Sequence, residues 1–143
     1  MIIEIAWFLH YVGIAFGVGG ATIASFILAK SAKDPEIGKV SAKLHPGIVK
    51  FIWLGLVLLI ISGILLQVYS KWPLNTQMLI LKHILVAWII IFGVTMGLKM
   101  KKMRTLVKEK NQKAILRVSK QMKALGIINL ILWYLVVIIS ILI

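Results

Sequence analysis

Four stretches of this chain run for about twenty residues or more with almost no charge, the length an α-helix needs to cross a hydrocarbon core of roughly 30 Å. They cover approximately residues 4–30, 47–69, 76–98 and 123–143. In the first, nothing charged interrupts the run from Ile5 to Leu28. Hydrophobic residues make up 61% of the 143 residues, more than a soluble domain of this size can hide. The expected fold is therefore all-α: an integral membrane four-helix bundle, up-down-up-down, forming one transmembrane domain over 1–143. No basic region precedes the first span and no cleavage-type site follows it, so it reads as a retained span rather than a secretory signal. The absence of cysteine excludes disulfides, thiolate metal sites and thiol redox chemistry.

A net charge of +13 would point to nucleic acid in a soluble protein. Here the cations crowd the linkers 31–46 and 99–122 and their flanks, whereas the second linker offers only Lys71. That asymmetry places linkers one and three in the cytoplasm and both termini outside a cell membrane, with lipid rather than nucleic acid as the partner.

The linkers carry local signals. Asp34-Pro35-Glu36 reads as a helix start, followed by a short surface helix to about Lys43 that His45-Pro46-Gly47 breaks. Tyr69, Trp72 and Pro73 mark an interfacial turn, and Asn75 or Thr76 caps the third span. In and just beyond the third linker Met100, Met103, Val107, Ala114, Val118, Met122 and Leu125 recur every three to seven residues. This spacing predicts that spans three and four continue as basic amphipathic helices, turning near 109–112. The alternative is a helix lying on anionic headgroups.

His10 is the residue that resists a purely structural description of span one. Gly13, Gly17 and Gly20 or Ala21 follow it down one helical face, a trough that admits either a neighbouring helix at close range or a flat cofactor. His83 lies at a matching depth in span three, about seven residues or roughly 10 Å inside the outer end. Spans one and three are diagonal partners in an up-down-up-down bundle, so two level histidines can ligate one haem iron from opposite sides. Ala87, one turn past His83, is small enough to leave room for the ring. Three other readings stand beside this one: a different metal, a proton pathway, and histidines acting as interhelical hydrogen-bond glue. Lys82 is an intramembrane cation that either snorkels outward or meets a propionate, a substrate carboxylate or a lipid phosphate. His45 reads as a loop or helix-start residue, Trp88 and Tyr134 as core packing, and Glu4 as a partner for Lys71 or Lys82.

These residues resemble the HemJ-type protoporphyrinogen oxidases, small four-helix membrane proteins that bind haem b, and more loosely the copper-resistance-D-like membrane proteins. Leu9-His10-Tyr11-Val12-Gly13 followed by Gly19-Gly20 is similar to the family's first span. The stretch from Leu44 to Leu66 is similar to its second, and Leu81-Lys82-His83-Ile84-Leu85-Val86 to its third. The resemblance implies that His10 ligates haem and that Lys82 assists at the haem or is the opposite ligand. Where the family carries an arginine and an aromatic-histidine pair late in span one, this chain has Ala24-Ser25-Phe26 and Ala29-Lys30, and its third-span histidine follows the lysine. The expected function is thus a membrane b-type haem protein for electron transfer or oxidoreduction, with quinone or porphyrinogen as reaction partner. The expected axial ligands are His10 and His83 (or Lys82), and the cofactor site comprises His10, His83, Lys82, Gly13 and Gly17. The alternatives are a copper-handling or transport protein, and an accessory structural subunit without cofactor that packs on partners or a second copy.

Overall fold

The computed structural model describes residues 1–31, 34–69 and 75–142, and its described residues are helical apart from caps and one turn. They fall into two compact units, Met1–Leu74 and Asn75–Ile143. Four helical stretches, Ile2–Ser31, Lys43–Tyr69, Thr76–Lys108 and Gln112–Leu142, are long and apolar enough to cross a membrane. The protein is an all-α, multi-pass membrane protein.

In the first unit, α1 (Ile2–Ile14), a π-helical turn (Ala15–Gly19) and α2 (Gly20–Ser31) make one rod. It packs against α3 (Pro35–Tyr69). Asp34 caps α3 as its sequence suggests, its Oδ1 accepting from the Glu36 N–H at 2.9 Å and, more weakly, from the Ile37 N–H at 3.4 Å. The expected break at His45-Pro46-Gly47 does not occur. All three lie inside α3, which passes without interruption from linker to span. Proline at this point forfeits one bond, to the Ala42 carbonyl, while helix propagation gains a bond at each residue on either side. His45 is accordingly a half-buried helical residue rather than part of a loop. Of the interfacial turn, Trp72 and Pro73 lie outside the described residues, as does Lys71. Glu4 pairs with the N-terminal ammonium, at 3.0 Å.

In the second unit, α4 (Thr76–Lys108) and α5 (Gln112–Leu142) form a helical hairpin. The cap on α4 is Asn75, whose Oδ1 accepts from the Met78 N–H at 3.3 Å. At 33 residues α4 is about 50 Å long, some 20 Å more than the hydrocarbon core requires. The extension expected of the third linker is therefore present as continuous helix, closed at Glu109–Asn111. Leu106, Val118 and Met122 form a small core there, flanked by Met100 and Met103. Lys99 donates from Nζ to Gln121 Oε1 at 2.8 Å, an exposed bond between the two helices.

The aromatic core of this unit is not the expected one. Trp88 and Tyr134 are 48% and 46% exposed, whereas Trp133 is 1% exposed. One residue of helix is 100° of rotation, so Ile89 and Trp133 take the buried faces and their neighbours Trp88 and Tyr134 turn to the apolar outer surface. Trp88 stacks at a tilt on Phe92, centroids 5.7 Å apart. That surface is compatible with bilayer contact.

Candidate functional site: His10 and its glycine face

Ala6, His10, Gly13, Gly17 and Ala21 are all buried, so they share one face of the first rod as their spacing predicts. The face holds its direction through the wide turn at Ala15–Gly19, a geometry that inserts extra backbone into an otherwise α-helical rod. Opposite it, α3 presents Ile52, Gly55, Leu59 and Ser62. Four pairs step past each other in antiparallel register: His10 with Ser62, Gly13 with Leu59, Gly17 with Gly55, and Gly20 with Ile52.

The fit is close enough to exclude side chains. A Cβ on Gly13 would lie 2.8 Å from Leu59 Cγ and 3.0 Å from the Gly55 carbonyl oxygen. One on Gly55 would lie 2.8 Å from both the Gly13 carbonyl oxygen and the Gly17 Cα. One on Gly20 would meet Ile52 Cγ1 at 2.8 Å. Real Cβ atoms do not approach so near, so the trough below His10 is occupied, and its occupant is α3. Of the two alternatives the sequence leaves open, this is the neighbouring helix. Phe16 and Phe51 close one flank with an edge-on contact at 5.4 Å.

His10 itself is 7% exposed. Its Nδ1 lies 2.9 Å from Oγ of Ser62, which is completely buried. The Trp7 indole meets the imidazole edge-on with centroids 6.0 Å apart, and Trp7 stacks in turn on Tyr11. Ser62 is a partner that the sequence reading passes over. A single serine in an apolar run has no motif, and its only signal is its position seven residues beyond Gly55, on the same face.

The second unit treats its histidine differently. His83 is exposed, and its Nδ1 lies 2.7 Å from the Leu79 carbonyl oxygen one turn earlier. Lys82, half-buried, shares a stripe of α4 with Ile89, seven residues on. Ala87 is exposed. Among the described residues no three His, Asp or Glu side chains gather as a metal-binding group. Comparison with protein-family models, with curated proteins and with solved structures finds no match for this chain.

Proposed function

We propose that this membrane protein binds a b-type haem through its intramembrane histidines and moves electrons, with a quinone or a porphyrinogen as the reaction partner. The observation that carries the reading is the His83–Leu79 contact. A carbonyl oxygen can only accept, so the His83 Nδ1 is protonated and Nε2 carries the lone pair. Metal-ligating histidines are commonly held in this way, with the distal N–H given to a backbone carbonyl that fixes ring and tautomer. His10, also anchored at Nδ1, is the second candidate ligand.

The fit is confined to the donors. Gly13 and Gly17 are taken up by α3 and offer no bed for a macrocycle, so the site rests on the imidazoles, with Lys82 as the cation for a propionate. A haem iron needs only one or two protein donors, whereas tetrahedral metal sites draw on three or four. The scattered histidines suit the first case. Haem, when bound, supplies one-electron redox chemistry. The chain's own part is to hold Nε2 lone pairs in place and to keep water from the buried ring of His10. The charge asymmetry of the linkers supports an orientation with both termini outside.

The test is an absorption spectrum of the detergent-purified protein before and after dithionite. A Soret band that shifts on reduction, with sharp α and β bands, is the expected result. Colourless protein that also fails to take up added haemin overturns the proposal.

A further inference from the structure

We infer that the outer face of α5 beyond the bilayer, formed by Lys113, Leu116, Arg117 and Lys120, is a docking surface for an acidic protein segment that also carries apolar side chains. The inference is independent of the haem reading.

The α4–α5 hairpin is long enough to present such a surface clear of lipid. No residue between Lys82 and Lys99 is charged, and Lys123 is the last charge of the chain. These two boundaries lie level, as the bond between Lys99 and Gln121 shows. From there α4 runs on to Lys108 and α5 starts at Gln112, so the turn stands about 15 Å past the apolar boundary. The headgroup layer takes up only about 5–7 Å of that. The tip therefore projects into water. Residues 99–123 carry ten Lys and Arg against one acid, Glu109. Lipid phosphates meet the cations nearest the boundary and leave those at the tip uncompensated.

Lys113, Leu116, Arg117 and Lys120 follow one another at i, i+3, i+4 and i+7, the spacing of a single helical face. All four are exposed, while Val118 points the other way into the small core with Leu106 and Met122. Leu116 is 63% exposed and lies among the three cations. The outer face of α4 has the same spacing and the same charge in Lys101, Arg104, Thr105 and Lys108, all exposed, but threonine replaces the apolar residue. A nucleic-acid backbone needs only cations, and its bases stack on aromatic rings, of which residues 99–123 have none. A second copy of the chain, at a net charge of +13, brings repulsion. An acidic amphipathic segment uses everything the α5 face offers: carboxylates on Lys113, Arg117 and Lys120, and an apolar side chain on Leu116.

The test uses the full-length protein in nanodiscs of zwitterionic lipid. The probe is a fluorescein-labelled helical peptide with a leucine stripe flanked by glutamates, read by anisotropy. Wild type is expected to bind it, more weakly as salt rises, and to bind a leucine-free peptide of equal charge about tenfold less tightly. Leu116→Gln should lose about tenfold for the first peptide and nothing for the second. Lys113→Gln, Arg117→Gln and Lys120→Gln together should weaken binding by about tenfold or more. Lys101→Gln, Arg104→Gln and Lys108→Gln together remove the same charge from α4 and should have a much smaller effect. Every substitution is at an exposed helical position and introduces a good helix former, so circular dichroism should not change. Equal losses from the two triple variants, or no effect of Leu116→Gln, would reduce the face to a general polycation and overturn the inference. Failure of wild type to bind the peptide overturns it as well. So does tighter binding of duplex DNA or of phosphatidylglycerol vesicles, which would assign the tip to nucleic acid or to lipid. Pigment plays no part in the readout, so failure of the haem proposal is a separate result.

Discussion

Gly17 and Gly55 meet backbone to backbone, the main chain of Gly17 lying where a side chain on Gly55 would have to be. The contact sits one step along the register from Gly13 and Leu59, and it decides how near α3 comes to His10.

Substitution here should be costly in proportion to what it displaces. Gly55→Ala drives a methyl group against the backbone of the opposing rod and is expected to destabilise the first helical pair by about 1–3 kcal/mol, the usual range for overpacking. Gly63→Ala is the control, because a Cβ there meets nothing within 4 Å. It should be neutral or stabilising by about 0.5–1 kcal/mol, as alanine is the better helix former. Thermal or denaturant unfolding in one detergent compares the two.

Pigment should follow the two intramembrane histidines. His10→Ala and His83→Ala are each expected to lose or shift the Soret band, while His45→Ala, inside α3 at the far end from Ser62, keeps it. Three coloured variants with unchanged spectra would remove the histidines from the site.

Orientation can be read chemically, since the chain contains no cysteine. Asn111→Cys, at the turn between α4 and α5, should resist a membrane-impermeant maleimide in intact cells and react once they are opened. Asn75→Cys, at the start of α4, should react in both. The reverse pattern would invert the topology that the lysine-rich linkers predict.

The two tryptophans of the second unit should separate by environment. Trp133→Ala empties a site that is 1% exposed and is expected to cost about 3–5 kcal/mol, whereas Trp88→Ala should cost well under half as much. In variants keeping one tryptophan, brominated lipid should quench Trp88 more strongly than Trp133. Equal quenching would contradict the assignment of faces. Trp133 Nε1 and, one turn earlier, Asn129 Oδ1 are buried without a hydrogen-bond partner among the described residues. Replacing the indole by phenylalanine should therefore lose volume but no hydrogen bond.

The α4–α5 turn offers a local probe. Lys110 has φ of 55°, a left-handed conformation that favours glycine, and Asn111 caps α5 by accepting from the Ala114 N–H at 3.1 Å. Lys110→Gly should stabilise the hairpin tip slightly, and Asn111→Ala should cost about 1 kcal/mol. Hydrogen exchange at Ala114 and Ile115 is the direct measurement.

Much of this architecture was legible because membrane helices announce themselves by length and charge alone. The four spans follow from such signals, the Asp34 and Asn75 caps from residue type, and the extension of α4 and α5 from the spacing of apolar residues in the third linker. The buried face through His10, Gly13 and Gly17 followed from a period of 3.6. What escaped was either pairwise or non-local. Ser62 and Gly55 gain meaning only once α3 is set in register against the first rod. Pro46 reads as a break by its own residue type, yet it sits inside a 35-residue helix whose other bonds outweigh the one it forfeits. Residue type alone points Trp88 and Tyr134 inward, yet in lipid an aromatic ring has no reason to prefer the interior over the surface. Matching positions within their spans give no hint that His10 is buried and His83 exposed.

The glycine register has a mechanical consequence. Side-chain interfaces yield by changing rotamers, so two helices packed through leucines can shift by fractions of an ångström at little cost. An interface of bare backbone has no such compliance. Around Gly13, Gly17 and Gly55 any sliding or rotation must lift one main chain over another, and the rod and α3 are obliged to move as a single stiff body. His10 is mounted on one half of that body and Ser62 on the other. Their separation is thus set by a hard stop, with a tolerance that flexible packing would not provide.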